Sequence, residues 1–294
     1  MTAPRTAPSV ADALALYDRT AEDAAATVIS RYSTSFGLAS RLLGPRPRPH
    51  VRNVYALVRV ADEIVDGPAA AAGLPESELR RVLDDLEAET LAAVARGFSA
   101  NLVVHAFART ARSCGIGDDL IRPFFASMRT DLTTTHHDGA SHDAYVYGSA
   151  EVVGLMCLQV FVGADTAQPA TAAPALVDGA RRLGRAFQDV NFLRDLDHDE
   201  VSLGRDYLGL HDGVTRIDVL DRIDADLDAA AAVIPDLPAD CRRAVTAAHD
   251  LFAELSRRLR RSPADGERVR VPDPVKAGLA ARAWMGMAPR EARG

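Results

Sequence analysis

Apolar residues recur along most of the chain at spacings of three and four, the repeat of one face of an α-helix, and strand-like alternation is nearly absent. The pattern predicts helices over about 10–30, 34–43, 50–66, 76–97, 100–114, 118–133, 142–164, 172–199, 216–233, 239–261 and 274–287. Asp66-Gly67-Pro68 stops the third, because glycine frees the backbone and proline cannot continue a helix. Ser77 lies near the start of the fourth, and Glu78 adds negative charge to its first turn. The segments PRPRPH (45–50), THHDGAS (135–141) and SPADGERVRVPDP (262–274) read as loops. No long low-complexity linker and no repeat of fixed period divides the chain, so 1–294 reads as one all-α domain.

Two helices break the rule that charges face outward. In the third, Tyr55, Arg59, Asp62 and Asp66 fall at offsets 0, 4, 7 and 11, one stripe of a helix, flanked by Val54, Leu57, Val58, Ala61, Ile64 and Val65. In the eighth, Gln188, Asn191, Asp195 and Asp199 fall at 0, 3, 7 and 11, with Arg194 beside them and Ala186, Phe187, Val190, Leu193 and Leu196 alongside. Two aspartates one turn apart repel by a few tenths of a kcal/mol even when exposed. Inside a cleft they must take up protons or a cation. Oxygen ligands suit Mg²⁺, which keeps waters and shares its remaining positions between carboxylates and substrate phosphates. Arg59 and Arg194 can neutralise further phosphate oxygens, and the metal would stabilise a departing diphosphate. A lone D-x-x-x-D equally suits an acidic surface helix, and Asp197, Asp199 and Glu200 equally suit a solvated helix end. The duplication is what sets this chain apart.

Composition narrows the field. The 41 acids exceed the 34 bases, giving a net charge of -7, which argues against a nucleic-acid partner. Aromatics are only 5% and alanine is abundant, which favours helices. Cys114, Cys157 and Cys241 form no CxxC pair and no disulfide framework. The N-terminal segment lacks an apolar h-region. The most apolar stretch, Val152 to Ala164, includes Gln159 and falls short of the roughly 20 residues needed to span a bilayer. These features predict a cytoplasmic protein with, at most, peripheral membrane contact. No basic amphipathic helix is evident in the pattern.

The motifs resemble a known family. YALVRVADEIVDGPA (55–69) resembles the first aspartate-rich motif of the squalene and phytoene synthases, and QDVNFLRDLDHDEVSLGRDYL (188–208) resembles the second. RYSTSFGLASRLL (31–43) is similar to their N-terminal flap segment. FFASMRTDL (124–132) and YVYGSAEVVGLM (145–156) are similar to two central helical signatures, and RVRVPDPVKAGLAARA (268–283) to the C-terminal helix entry. The order is kept over about 30 to 290, and the bacterial phytoene synthase branch is most similar.

The resemblance implies a single-domain isoprenoid-synthase helical bundle around a central cavity. It implies a Mg²⁺-dependent prenyltransferase, with Mn²⁺ as substitute cation, joining two geranylgeranyl diphosphates head to head. The path runs through the cyclopropylcarbinyl prephytoene diphosphate to phytoene, without NADPH, as a step of carotenoid biosynthesis. A C30 version would take two farnesyl diphosphates to presqualene diphosphate, dehydrosqualene or squalene. A non-catalytic helical binding protein is the third reading. The partners implied are the prenyl diphosphate substrate and downstream carotenoid enzymes.

Carried over residue by residue, Asp62, Asp66, Asp195 and Asp199, with Asn191, would hold metal. Arg59, Gln188, Asn191 and Arg194 would bind diphosphate oxygens, and Ser33, Ser35 and Tyr55 match flap and pocket positions. Tyr145 matches an aromatic beside the carbocation, where a ring face stabilises positive charge. Asp131 also matches a family position; on the residues alone it suits a helix-end charge, Tyr145 suits ordinary packing, and Ser33 and Ser35 suit a helix cap. Gly37, Gly148, Ser149 and Gly154 suit either a prenyl tunnel or close helix packing. His136 and His137 read as solvated. The chain departs from the family pattern at Phe252, where a tyrosine is usual, at Gly209, where proline is frequent, and mildly at Glu200.

Overall fold

A computed structural model describes residues 9–33, 35–133, 139–166, 170–198, 214–262 and 268–292. Helices account for the regular structure, and no strand occurs among the described residues. The first is α1 (Val10–Tyr32), opened by a capping box in which Ser9 and Asp12 satisfy each other's backbone N–H groups. After the short α2 (Ser35–Arg41) comes α3 (Pro47–Val65). It begins inside the segment read as a loop, because Pro47 occupies the first helical turn, where its missing N–H costs nothing. Gly67, at φ 120°, then redirects the chain as expected, but Pro68 starts a further short helix, α4 (Pro68–Ala71).

α5 (Glu76–Arg96) begins directly after Pro75, so Ser77 is its second residue and Glu78 lies in its first turn, as expected. α6 (Leu102–Cys114) is capped by Asn101, whose side chain accepts from the N–H groups of Val103 and Val104. α7 (Asp118–Thr133) leads to α8 (Gly139–Val146), which continues through a π turn, Tyr147–Glu151, into α9 (Val152–Gly163). α10 (Pro174–His198), α11 (Arg216–Val233), a 3-10 turn (Ile234–Asp236), α12 (Ala239–Arg261) and α13 (Asp273–Trp284) complete the order. The expected elements are all present, with ends shifted by a few residues.

The two largest buried clusters hold the bundle. One joins α3, α5, α6, α7 and α9 through residues such as Leu57, Leu83, Phe107, Phe125 and Met156. The other joins α8, α10, α11 and α12 through Val190, Leu220, Leu227, Phe252 and Leu259. The apolar run Ser141–Gly163 is long enough by length and composition to cross a membrane, yet 56% of its 18-residue apolar stretch is buried within the bundle. It packs on α10 at glycine distance. A Cβ at Gly154 would lie 2.6 Å from the Ala180 carbonyl oxygen, and one at Gly184 would lie 2.6 Å from the Ala150 carbonyl oxygen. Glu151, 1% exposed, pins the same junction by accepting from Arg181 (2.6 Å) and Arg185 (2.9 Å) of α10.

Candidate active site

A cavity of about 1010 Å³ opens between these helices, and residues of both α3 and α10 line it. Helical periodicity delivers Tyr55, Arg59, Asp62 and Asp66 to it from α3 and Gln188, Asn191, Arg194 and Asp195 from α10. Seven of the eight belong to the two stripes read from sequence, and Arg194 is the residue expected beside them. Asp199, Glu200 and Gly209 lie outside the described residues, as do His136 and His137.

The carboxylates sit in contrasting environments. Burial, reinforced by the charge of Asp66 one turn on, pushes the Asp62 carboxyl up to about 8. Burial alone would also raise Asp195. Instead, hydrogen bonds from Arg194 (2.7 and 3.1 Å) and Arg268 (2.6 and 3.0 Å) outweigh it and hold that carboxyl below its ordinary range. Arg59 contacts Glu63 and lies 4.8 Å from the centre of the Tyr32 ring, while its buried Nε has no partner among the described residues.

Tyr145 also faces the cavity, and it is not merely packed. Its hydroxyl donates to Asp131 at 2.9 Å, and Ser127 donates to its carbonyl at 3.0 Å. Asp131, read from sequence as either a family position or a helix-end charge, is buried and lines the cavity. Ser33 has a supporting place. It caps α2 by accepting the Phe36 N–H at 2.9 Å, and it hydrogen-bonds Tyr55 without lining the cavity itself. Ser35 falls in the first turn of α2.

The π turn decides what the rest of the wall is made of. Its i→i+5 bond, from the Val152 N–H to the Tyr147 carbonyl, inserts one residue and rotates the following helix by roughly 100°. Without it Val152 and Met156 would follow Tyr145 toward the cavity. With it they enter the core, and Val153, Gly154, Cys157, Leu158 and Phe161 line the cavity instead. Gly154 therefore serves both readings, wall and close packing. Gly148 is packing, since a Cβ there would lie 2.1 Å from the Ser127 hydroxyl.

Beyond the polar stripes the lining is apolar, with Leu176, Val233, Ile234, Leu237, Ala244 and Ala248 among its residues. Burial pushes the Cys157 thiol up to about 12, so no thiolate stands in this wall. Phe252, in place of the family's usual tyrosine, stacks on Phe187 with centroids 3.8 Å apart. Phe36 and Phe187 bring ring surface to the cavity.

The polar donors are carboxylates, amides and guanidiniums. Among the described residues no three carboxylates, imidazoles or thiols converge to hold a cation alone. Two carboxylates one turn apart, Asp62 and Asp66, near the Arg59 guanidinium, suit a divalent cation whose remaining ligands come from water and a phosphate-bearing substrate. The set fits Mg²⁺ of that kind. Sequence reasoning missed Arg268, which reaches Asp195 from 73 residues further on; no local pattern couples the two.

Residues 29–219 match the profile of the squalene/phytoene synthase family. The chain is 33% identical over 191 residues to the 15-cis-phytoene synthase of Synechocystis sp. (63% of this chain, 54% of that protein). It is 32% identical over 193 residues to phytoene synthase 1, chloroplastic, of Arabidopsis thaliana (65% and 42%). It thus spans about half the length of those two curated relatives. With the 15-cis-phytoene synthase of Paracoccus sp. it shares 27% over 266 residues, covering 83% of each. Among solved structures, a dehydrosqualene synthase in complex with ligand superposes with a TM-score of 0.74 at 21% identity, covering 92% of this chain and 98% of that one. Squalene synthase HpnC from Alicyclobacillus acidocaldarius gives 0.70 at 20%, covering 84% and 95%. The all-α isoprenoid-synthase bundle is the fold they share.

Proposed function

The chain belongs to the squalene/phytoene synthase family, and from that premise we propose that it is a phytoene synthase, joining two geranylgeranyl diphosphates head to head into phytoene. The observation that carries the reading is the pairing of two acid-and-arginine stripes, on α3 and α10, over one cavity whose remaining walls are apolar. A diphosphate needs cations and a prenyl chain needs apolar surface, and one cavity supplies both. Similarity to curated phytoene synthases supports the C20 substrate.

Asp62, Asp66 and Asp195, with Asn191 and the matching Asp199, would hold Mg²⁺. When bound, Mg²⁺ supplies Lewis-acid stabilisation of the departing diphosphate. Arg59, Arg194 and Arg268 would bind its non-bridging oxygens, and Gln188 would donate to it. Asp195 holds Arg194 and Arg268 together before substrate arrives, which limits the reorganisation on binding. The allylic cation left by ionisation is attacked by the double bond of the second substrate, and loss of a proton from the resulting cation closes the cyclopropane ring. Tyr145, fixed by Asp131 and Ser127, presents an aromatic ring to the positive charge. The apolar wall excludes water, and the protonated Cys157 thiol offers no thiolate to trap the cation. Ionisation of the cyclopropylcarbinyl intermediate, rearrangement and proton loss then give the triene.

The test is direct. Purified protein with geranylgeranyl diphosphate and Mg²⁺, without NADPH, should yield phytoene. Products formed only from farnesyl diphosphate would overturn the chain length, and no turnover of either by folded protein would overturn the enzyme.

A further inference from the structure

α13 distributes its polarity unusually. Leu279 and Ala283 are its buried residues, and the helix packs against α12 and α2. Exposed along it and just beyond are Ala277, Gly278, Ala281, Trp284, Met285 and Met287, with no exposed charge from 277 to 288. Trp284 is 62% exposed and Met285 61%. Single exposed apolar residues are ordinary, but a charge-free helical face ending in an exposed tryptophan and two methionines is not.

The rim of this face is cationic. Arg282 lies at its edge, and the Arg243 guanidinium from α12 sits 6.0 Å from the Trp284 ring centre. α2 ends in Arg41, whose carbonyl accepts from Arg48, and both charges act on Arg52. The Gly44 N–H donates to the Asp240 carbonyl at 2.7 Å, which holds this second group beside the end of α12 that carries Arg243. None of Arg41, Arg48, Arg52, Arg243 or Arg282 has a carboxylate partner among the described residues. In a chain of net charge -7, that is a local reversal of sign.

We propose that this face docks on a lipid bilayer carrying anionic headgroups, with Trp284, Met285 and Met287 entering the boundary between headgroups and acyl chains. Tryptophan favours that boundary because its ring is apolar and its N–H wants a polar neighbour. The surrounding arginines supply the attraction that an apolar face alone lacks, and salt should weaken it. A second copy of the chain is a poorer occupant, since matching this face with itself sets arginines against arginines. The sequence pattern hid the surface because its cations come from α2, α3 and α12 as well as from α13. The inference stands apart from the chemistry proposed above, although an apolar hydrocarbon product has its natural destination in lipid.

Trp284 is the sole tryptophan, so its fluorescence reports on this face alone. The intact protein, without substrate, is mixed with phosphatidylglycerol-rich vesicles or with pure phosphatidylcholine vesicles. On the anionic vesicles the emission should shift to the blue, be quenched by brominated acyl chains and recover in high salt. The triple substitution W284S/M285S/M287S should lower co-sedimentation with them roughly tenfold or more. R243Q/R282Q should weaken anionic binding severalfold while leaving any binding to phosphatidylcholine unchanged. An emission unmoved by either vesicle would overturn the proposal, as would unaltered binding by the triple variant. Lipid-free self-association abolished by the same substitutions would overturn it in favour of a second copy.

Discussion

Gly184→Ala is the most informative single change, because it tests how tightly the geometry of α10 sets the site. Gly184 begins the stripe that continues through Gln188, Asn191 and Asp195. A Cβ there would lie 2.6 Å from the Ala150 carbonyl oxygen, 3.0 Å from its carbon and 3.2 Å from the Glu151 Cα. These are backbone atoms of the π turn, pinned by Glu151 and its two arginines, and cannot swing aside. The methyl group must push α10 away by a sizeable fraction of an ångström. Overpacking of this kind costs about 1–3 kcal/mol, against which alanine's helix propensity returns about 1 kcal/mol. The net loss, up to about 2 kcal/mol, should lower Tm by up to about 3–4 °C in a chain this long. The larger effect is functional: a displacement near 1 Å at reacting groups costs about a hundredfold in rate. Gly278→Ala is the control, since nothing lies within 4 Å of its added Cβ. There the same substitution should raise Tm by about 1–2 °C through propensity alone. Thermal melts by circular dichroism, with turnover of geranylgeranyl diphosphate, read both. Wild-type Tm and turnover in Gly184→Ala would refute the claim that α9 and α10 meet at fixed glycine distance.

Four other outcomes are expected. Asp62→Asn or Asp195→Asn should cut turnover by about a thousandfold or more with helicity unchanged, and chelation should do the same reversibly; undiminished activity in either variant would remove it from the proposed metal site. Glu151→Ala should cost about 2–3 kcal/mol in chemical denaturation, less than a fully buried pair, because Arg181 and Arg185 can turn to solvent. Tyr145→Phe removes a donor to buried Asp131 and should cost about 1–2 kcal/mol of stability; a turnover loss beyond what the folded fraction explains would mark the hydroxyl as functional. Burial pushes the His50 imidazole below its ordinary value of 6.5, so the unfolded chain binds a proton that the fold refuses. Stability should therefore fall as pH drops through about 6.5, and His50→Gln should flatten that limb of a pH series of melts.

What the sequence made legible follows from which distances are local. Tyr55 to Asp66 and Gln188 to Asp195 share one helix each, and the 3.6-residue repeat fixes their faces without help from the rest of the chain. Two acid stripes with apolar neighbours could then only face a common polar space or solvent, and the cavity decides for the former. Arg268 and Asp131 reach the site by tertiary packing, so no spacing announces them. The π turn is a subtler case. Tyr147 to Glu151 carries no residue that a continuous helix would refuse, and the pattern reads straight through from 142 to 164. The extra residue becomes visible only because Val152, Met156 and Val160 lie in the core while Val153, Cys157 and Phe161 line the cavity. A regular helix from Tyr145 would have exchanged the two sets. The backbone on either side of that turn stays in ordinary helical geometry, and Glu151, at its end, ties it to two arginines of α10. The buried acid that breaks the apolar pattern of this helix thus marks the point at which its cavity face is set.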